Sequence, residues 1–428
     1  MLVIGAGVAG LAAAERLASA GRRVILIEAR DRIGGRIHTI LEPGFPYPIE
    51  LGAEFIHGGS PELWDAIGAG GLAVDEVPQH HVRTHGGDQR PLPDLRQLVG
   101  RVLGPHPETA PDRSFREVLK ERVAKDMDPA DAEAALRYVE GFHAADAARL
   151  GTRALADNES GGSADDQRQF RVRDGYAGIV GWLATRLDPG AVTLRLGTAA
   201  TGLHWRPGEV RLTAVSPDGR PNEVTAGRAI ITVPLALLKA GAGGLALPIA
   251  PRPPGWDTAL AALEMGAACR IVLRFDQPWW EQAAESDANF FHGSREAFPV
   301  WWTAAPARRP VLTGWAGGSA ATALAGLSME ELRGKALASL TSLFDVNLRT
   351  LEAHMLAGHA HDWAGDPFSR GAYSYGGVGA VESRHALAQP VADTLFLAGE
   401  AIAGRGSTGT VHGALESGRR AAARALEV

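Results

Sequence analysis

The chain has little of what marks a disulfide-stapled, metal-binding, nucleic-acid-binding or membrane-spanning protein. Of its 428 residues one is cysteine, Cys269. A disulfide framework within the chain is therefore impossible, and no Cys/His cluster has zinc spacing. Aromatic residues make up 6% and the formal net charge is -6. With no block of like charge, this argues against nucleic acid as a main partner. No apolar run is long enough, and free enough of Pro, Gly and charge, to span a bilayer. The first apolar stretch follows no basic leader or cleavage site, so the expected compartment is the cytoplasm, with no membrane partner. Nor does any Ser/His/Asp or Cys/His arrangement suggest a protein nucleophile. What the chain does have is 53 glycines and a 45% hydrophobic composition. That is enough for a large core, in two domains or one elaborated domain.

The most informative stretch is the first. Leu2 to Ile4 read as a short buried strand, and Gly5, Gly7 and Gly10 form a G-x-G-x-x-G turn. The helix that follows carries Val8, Leu11, Ala14 and Leu17 at helical spacing, Gly21 stops it, and Val24 to Ile27 form a second strand ending at Glu28. This βαβ unit fits a dinucleotide fingerprint. Gly5 permits the turn, Gly7 lets backbone N–H groups approach a pyrophosphate, and Gly10 lets helix and strand pack closely. The helix N-terminus favours phosphate charge, and Glu28 can accept both ribose hydroxyls of an adenosine. An acid at position 28 disfavours a 2′-phosphate. NAD and FAD both remain open on this stretch alone. Gly34, Gly35 and Arg36 follow where a second phosphate-facing loop would lie.

Further along, Ile49 to Ile56 suggest a strand broken by Gly52, with Glu54 and His57 as polar residues suited either to a cavity or to a capping, water-facing role. From Pro61 to about Gln169 the pattern is helical, with a Ser114/Glu117 capping box and a helix start at Asp128–Pro129. Asn158 to Gln167 read as a polar loop. Val192 to Leu196, Val210 to Val215 and Ala229 to Val233 suggest an antiparallel meander. Arg270 to Phe275, Val300 to Trp302 and Val311 to Trp315 are expected strands, and Ser328 with Glu331 caps a helix running to Phe344. Trp279, Trp280, Trp301 and Trp302 are expected mainly in core or sheet packing. Near the C-terminus a strand ends at Gly399 and Glu400, a glycine-rich loop follows, and a helix opens near Thr410 and Val411.

Five separated stretches, together covering nearly the whole chain, resemble the flavin-containing amine oxidases: E-A-R-D-R-I-G-G-R, the Ile49–Gly59 segment, A-C-R-I-V-L-R-F, the run from His361 to Gly377, and the run from Thr394 onward. The resemblance implies an α/β fold: an FAD-binding Rossmann-like domain of glutathione-reductase type, built from residues 1–60, 168–240 and 386–428. An interleaved α+β substrate domain would take 61–167 and 241–385. It implies FAD contacts by Gly5, Gly7, Gly10, Glu28, Gly35, Arg36, Glu400, Thr410 and Val411, with Ala200 at the adenine end. It places Arg270 where most of the family carries a lysine that holds a water against the flavin. Tyr373 takes one position of an aromatic cage, with Tyr375 nearby, and Thr410 takes the other. Ala372 stands where some members carry a flavin-linking cysteine, which implies non-covalent FAD.

The activity implied is hydride transfer from an amine α-carbon to flavin, giving an imine, with dioxygen reduced to hydrogen peroxide. Expected catalytic residues are Arg270, Tyr373, Thr410, His57 and Glu54. Expected partners are a small-molecule amine, either a polyamine or another primary or secondary amine, and dioxygen, with the chain a monomer or homodimer. Two alternatives are an amine dehydrogenase using another acceptor, which Arg270 favours, and a non-catalytic FAD-fold carrier.

Overall fold

In the computed structural model, described for residues 1–428 except 106–108, 160–167, 240–245 and 284–286, the chain builds on a five-stranded parallel sheet. Its order is Val192–Arg195, Val24–Ile27, Leu2–Ile4, Ala229–Ile231 and Leu395–Leu397. The central strands are short and apolar throughout, as strands covered on both faces must be. Val3, Leu26, Ile230 and Phe396 face a core shared with helices Val8–Ser19 and Val411–Glu427. Leu2, Ile4, Ile27 and Ile231 face the opposite core, closed by strands Ala199–Arg206, Glu209–Val215 and Pro221–Ala226. The two helices pack backbone to backbone, since a Cβ on Gly418 would lie 2.1 Å from the carbonyl oxygen of Ala9.

The expected meander therefore needs correction. Of its three strands only the middle one lies in an antiparallel sheet; Val192–Arg195 and Ala229–Ile231 belong to the parallel sheet. A continuous apolar run such as Ala229–Ile231 signals burial on both faces, which is the parallel signature, whereas Glu209–Val215 alternates.

A second, seven-stranded sheet runs Met355–Ala360, Ala268–Phe275, Val311–Gly317, Val300–Thr303, Phe290–His292, His81–His85, Asp88–Pro91. Helix Met329–Phe344 covers one face of it. Both capping boxes and the Asp128 cap form as expected. The region after Pro61 is not wholly helical, because Val74–Glu76, His81–His85 and Asp88–Pro91 are strands. These short polar stretches carry no alternation long enough to read from sequence; Val74–Glu76 and His81–His85 pair with the distant strands Gln169–Val172 and Phe290–His292, and Asp88–Pro91 pairs back on His81–His85 across Gly86 and Gly87. The expected polar loop begins later than residue 158, since Asn158 and Glu159 end helix Thr152–Glu159; its remainder lies outside the described residues. The segment Ile49–Ile56 splits into Pro48–Glu50 and Phe55–His57. Gly52 is required by the chain itself: a Cβ there would sit 1.9 Å from the Arg36 carbonyl oxygen. No helix among the described residues is long and apolar enough to cross a membrane.

Candidate functional site

A single cavity of about 1940 Å³ runs from the Gly5–Gly10 turn to the seven-stranded sheet. That exceeds the roughly 300–1,000 Å³ usual for one small ligand. There is room for a dinucleotide and a substrate together.

At the nucleotide end the three glycines have separate reasons. Gly5 has φ +103°, and a Cβ on Gly10 would lie 1.8 Å from the Gly5 carbonyl oxygen, so both are demanded by the fold. A Cβ on Gly7 would meet nothing within 4 Å. Gly7 nonetheless lines the cavity at the start of helix Val8–Ser19, so its openness faces the space a phosphate would fill. Glu28 is buried and fixed by the backbone N–H groups of Ala6 at 2.8 Å and Arg30 at 2.9 Å. Arg36 Nη1 reaches Glu400 Oε1 at 2.7 Å and the Ala372 carbonyl at 2.8 Å, and Glu400 Oε2 accepts from Ser374 Oγ at 2.6 Å. Gly35 and Ala200 also line this part, Ala200 at a bulge in its strand. A cradle with one open glycine, a fixed acid and two helix N-termini fits FAD.

Thr410 caps helix Val411–Glu427, accepting from Gly413 N at 3.0 Å and donating to Ser407 O at 2.6 Å. Val411 begins the helix and lines the cavity with it. Thr410's hydroxyl is thus spent on the backbone.

At the far end, aromatic side chains close into a belt. Tyr373 stacks on Trp315 with centroids 6.5 Å apart and planes 14° from parallel. Trp315 meets Trp302 at 6.1 Å, Trp302 meets Phe55 at 5.5 Å, Phe55 meets His57 at 6.1 Å and His57 meets Phe142 at 5.9 Å. Tyr373 closes the belt by donating its hydroxyl to the Phe142 carbonyl at 2.5 Å. Burial pushes the Tyr373 phenol up and the His57 imidazole down, to about 4, so both rings are neutral near pH 7. Trp315 Nε1 donates to Gly141 O at 3.0 Å. Sequence reading missed Trp315 and Phe142, whose strand and helix carry no local sign of facing a cavity, and it expected Trp302 in packing. Tyr375 does not join the belt; it packs into the helical core around Phe115 and Val139. Strand alternation would put residues 373 and 375 on one face, but the strand is only Ser374–Gly376 and Tyr373 lies before it.

Arg270 and Glu54 meet in a buried cluster beside the belt. Glu54 pairs with Arg270 and, at 2.6 Å, with Arg171, and it accepts from Trp302 Nε1 at 3.1 Å. Arg270 Nη1 also donates to Gly52 O at 2.6 Å, and its guanidinium lies 5.4 Å from the Trp302 ring centre. Burial lowers the pKa of Arg270 to about 10 and of Arg171 to about 9, with Glu50 opposing in each case. Both stay charged at neutral pH. Arg270 is therefore no solvent-facing strand arginine, and Glu54 no free cavity acid. Arg171 and Glu50 escaped sequence reading because nothing local links them to a site.

A family model described as flavin containing amine oxidoreductase matches residues 8–426. Among curated relatives, polyamine oxidase 3 of Oryza sativa subsp. japonica is 29% identical, over 98% of this chain and 88% of its own. Human lysine-specific histone demethylase 2 is 26% identical, over 99% of this chain and 53% of its own. Among solved structures, putrescine oxidase bound to putrescine superposes with a TM-score of 0.78 at 21% identity, covering 100% of this chain and 98% of its own. Cyclohexylamine oxidase from Brevibacterium oxydans does so with 0.80 at 19%, with the same coverage. These structural likenesses speak for the fold. The match of the family model over nearly the whole length, on a chain whose cavity joins a dinucleotide cradle to an aromatic belt, makes the protein a member of the flavin-containing amine oxidoreductases.

Proposed function

We propose that the protein is an amine oxidase holding FAD non-covalently. The observation that carries this reading is the belt closed by Tyr373, placed on the same cavity as the Gly5–Gly10 cradle. Gly7 and the amides opening helix Val8–Ser19 would hold the pyrophosphate and Glu28 the adenosine ribose, with Gly35, Arg36, Ala200, Glu400 and the Thr410–Val411 helix end lining the rest of the cavity. The only cysteine, Cys269, is not among the cavity residues, which supports a non-covalent cofactor. Bound FAD supplies a two-electron acceptor for the α-carbon hydride and returns its electrons to dioxygen, giving hydrogen peroxide.

The chain's own residues prepare the amine. The rings of Tyr373, Trp315, Trp302 and Phe142 exclude water around it. Desolvation favours the neutral amine over its ammonium form, and the neutral form is the one able to release hydride. Tyr373 is held rigidly, since Ser374 is tied to Glu400 and the phenol to Phe142 O. The N-terminus of helix Val411–Glu427 favours negative charge developing nearby. The imine product then hydrolyses to a carbonyl compound and an amine or ammonia.

The test is anaerobic addition of primary and secondary amines to the purified holoprotein, followed by air. Loss of the oxidised flavin absorbance and rapid recovery are expected; no loss with any amine would overturn the reading. One observation supports a second reading, an amine dehydrogenase with another acceptor. Arg270 stands in place of the family lysine and is tied to Glu54, which it shares with Arg171. Bleaching with recovery only on adding a quinone or dye, and not in air, would establish that alternative.

A further inference from the structure

A diamine or polyamine carries a second ammonium, which on leaving water needs a carboxylate partner. Among the described residues the cavity's acids are already engaged. Glu54 serves two guanidiniums at once. At the cofactor end Glu28 takes two backbone N–H groups, and Glu400 takes Arg36 and Ser374.

Along the remaining walls Glu76 pairs with Arg168 at 2.6 Å, Glu140 with Arg116 at 2.6 Å, and Glu159 with His143 at 3.0 Å. Asp94 caps its helix through Gln97 N, and Glu296 accepts from Ser294 N and Arg295 N. Glu416 is the least committed. It accepts from Ser60 Oγ at 2.7 Å and stands one turn before Arg420. Beside the belt Arg270 and Arg171 take up both nearby carboxylates, Glu54 by direct pairing and the buried Glu50 by its opposing charge, so neither is left for a further cation.

Nothing in the belt compensates. Its walls are ring faces, and the indole N–H groups of Trp302 and Trp315 are turned to Glu54 and Gly141. Farther along, His81 stacks on Phe290 at 4.3 Å and shares a 2.9 Å hydrogen bond with His292. These rings extend an apolar, neutral surface.

Resting on the amine-oxidase reading above, we propose that the site selects amines with a single cationic nitrogen on an apolar body, and that the second ammonium of diamines and polyamines is disfavoured because the Arg270–Glu54–Arg171 cluster holds the acid nearest the belt. The substrate class is a primary or secondary monoamine with an alkyl, alicyclic or aromatic body. This departs from the polyamine and putrescine oxidases the chain is similar to.

The experiment uses matched pairs that differ only in the distal group: pentylamine against cadaverine, and benzylamine against para-xylylenediamine. Anaerobic flavin reduction is followed over a range of concentrations. Binding is read separately from the perturbation of the flavin spectrum before reduction. In each reactive pair the monoamine should exceed the diamine by at least about tenfold in reduction rate constant over Kd. Arg171→Gln, which releases one cation from Glu54, should narrow that ratio by several-fold; the wild-type comparison stands if this variant does not fold.

A diamine equal to or better than its monoamine would overturn the proposal while leaving the oxidase reading intact. If Glu416→Gln then removed the diamine's advantage, the overlooked anchor would be Glu416. Flavin reduced by neither member of either pair, nor by any amine of the wider panel, would overturn the oxidase reading and the proposal with it.

Discussion

Glu54 has the most to lose from a single change. It pairs directly with two buried guanidiniums, so Glu54→Gln leaves Arg270 and Arg171 without their hydrogen-bonded carboxylate, with only Glu50 opposing them. Breaking a buried pair from one side costs about 3–5 kcal/mol. Denaturant unfolding of the variant should show a loss near 3 kcal/mol, and a loss under about 0.5 kcal/mol would mean that water enters the cluster. His57 carries a pH prediction. Its pKa in the folded chain is about 4 against 6.5 for an unperturbed imidazole, because burial disfavours the charged form. The folded state thus binds fewer protons. The contribution of His57 to stability is complete above pH 6.5 and lost as pH falls from 6.5 towards 4. His81 and His292 act in the same direction. His57→Gln should lose less stability than wild type between pH 7 and pH 5, by on the order of 1 kcal/mol. Parallel declines would exclude His57 as a contributor.

Among the elements, the Gly5–Gly10 turn separates fold from ligand. Gly10→Ala would force a Cβ to 1.8 Å from the Gly5 carbonyl oxygen, whereas the same change at Gly7 meets no protein atom within 4 Å. Gly7→Ala should leave the melting temperature of the flavin-free chain within about 2 °C of wild type and still lower the flavin-to-protein absorbance ratio. Gly10→Ala should lower both. Equal behaviour of the two variants would contradict a cofactor role specific to Gly7. This turn was fully legible in the sequence, because strand, glycine spacing and helix lie within one short stretch. The two capping boxes were legible for the same reason, each being closed by residues three apart. The meander was misread because a short apolar strand does not announce its partners: Ala229–Ile231 pairs with Leu2–Ile4 and Leu395–Leu397, both remote in sequence.

Across the whole molecule, a few polar links tie distant segments around the cavity. Arg36 joins Glu400 and Ala372, and Arg30 reaches Asp366 at 2.6 Å and Ser369 at 2.9 Å. They hold the Tyr373 segment against the nucleotide-binding turn. By itself the sequence determined the βαβ cradle, the acid after its second strand, the helix caps, the absence of any disulfide within the chain and the family. The cradle, the acid and the caps rest on residues close in sequence, where period and spacing act directly on backbone geometry; the missing disulfide follows from a single cysteine, and the family from short stretches read together. Only the tertiary structure decided that Trp315 rather than Thr410 stacks on Tyr373, that Phe142 closes the belt, and that Glu54 belongs to two arginines. Those contacts join residues as far apart as 54 and 270, or 142 and 373. No local preference encodes them, because they arise when the two sheets and the helical segment pack around one cavity and their side chains must share its walls.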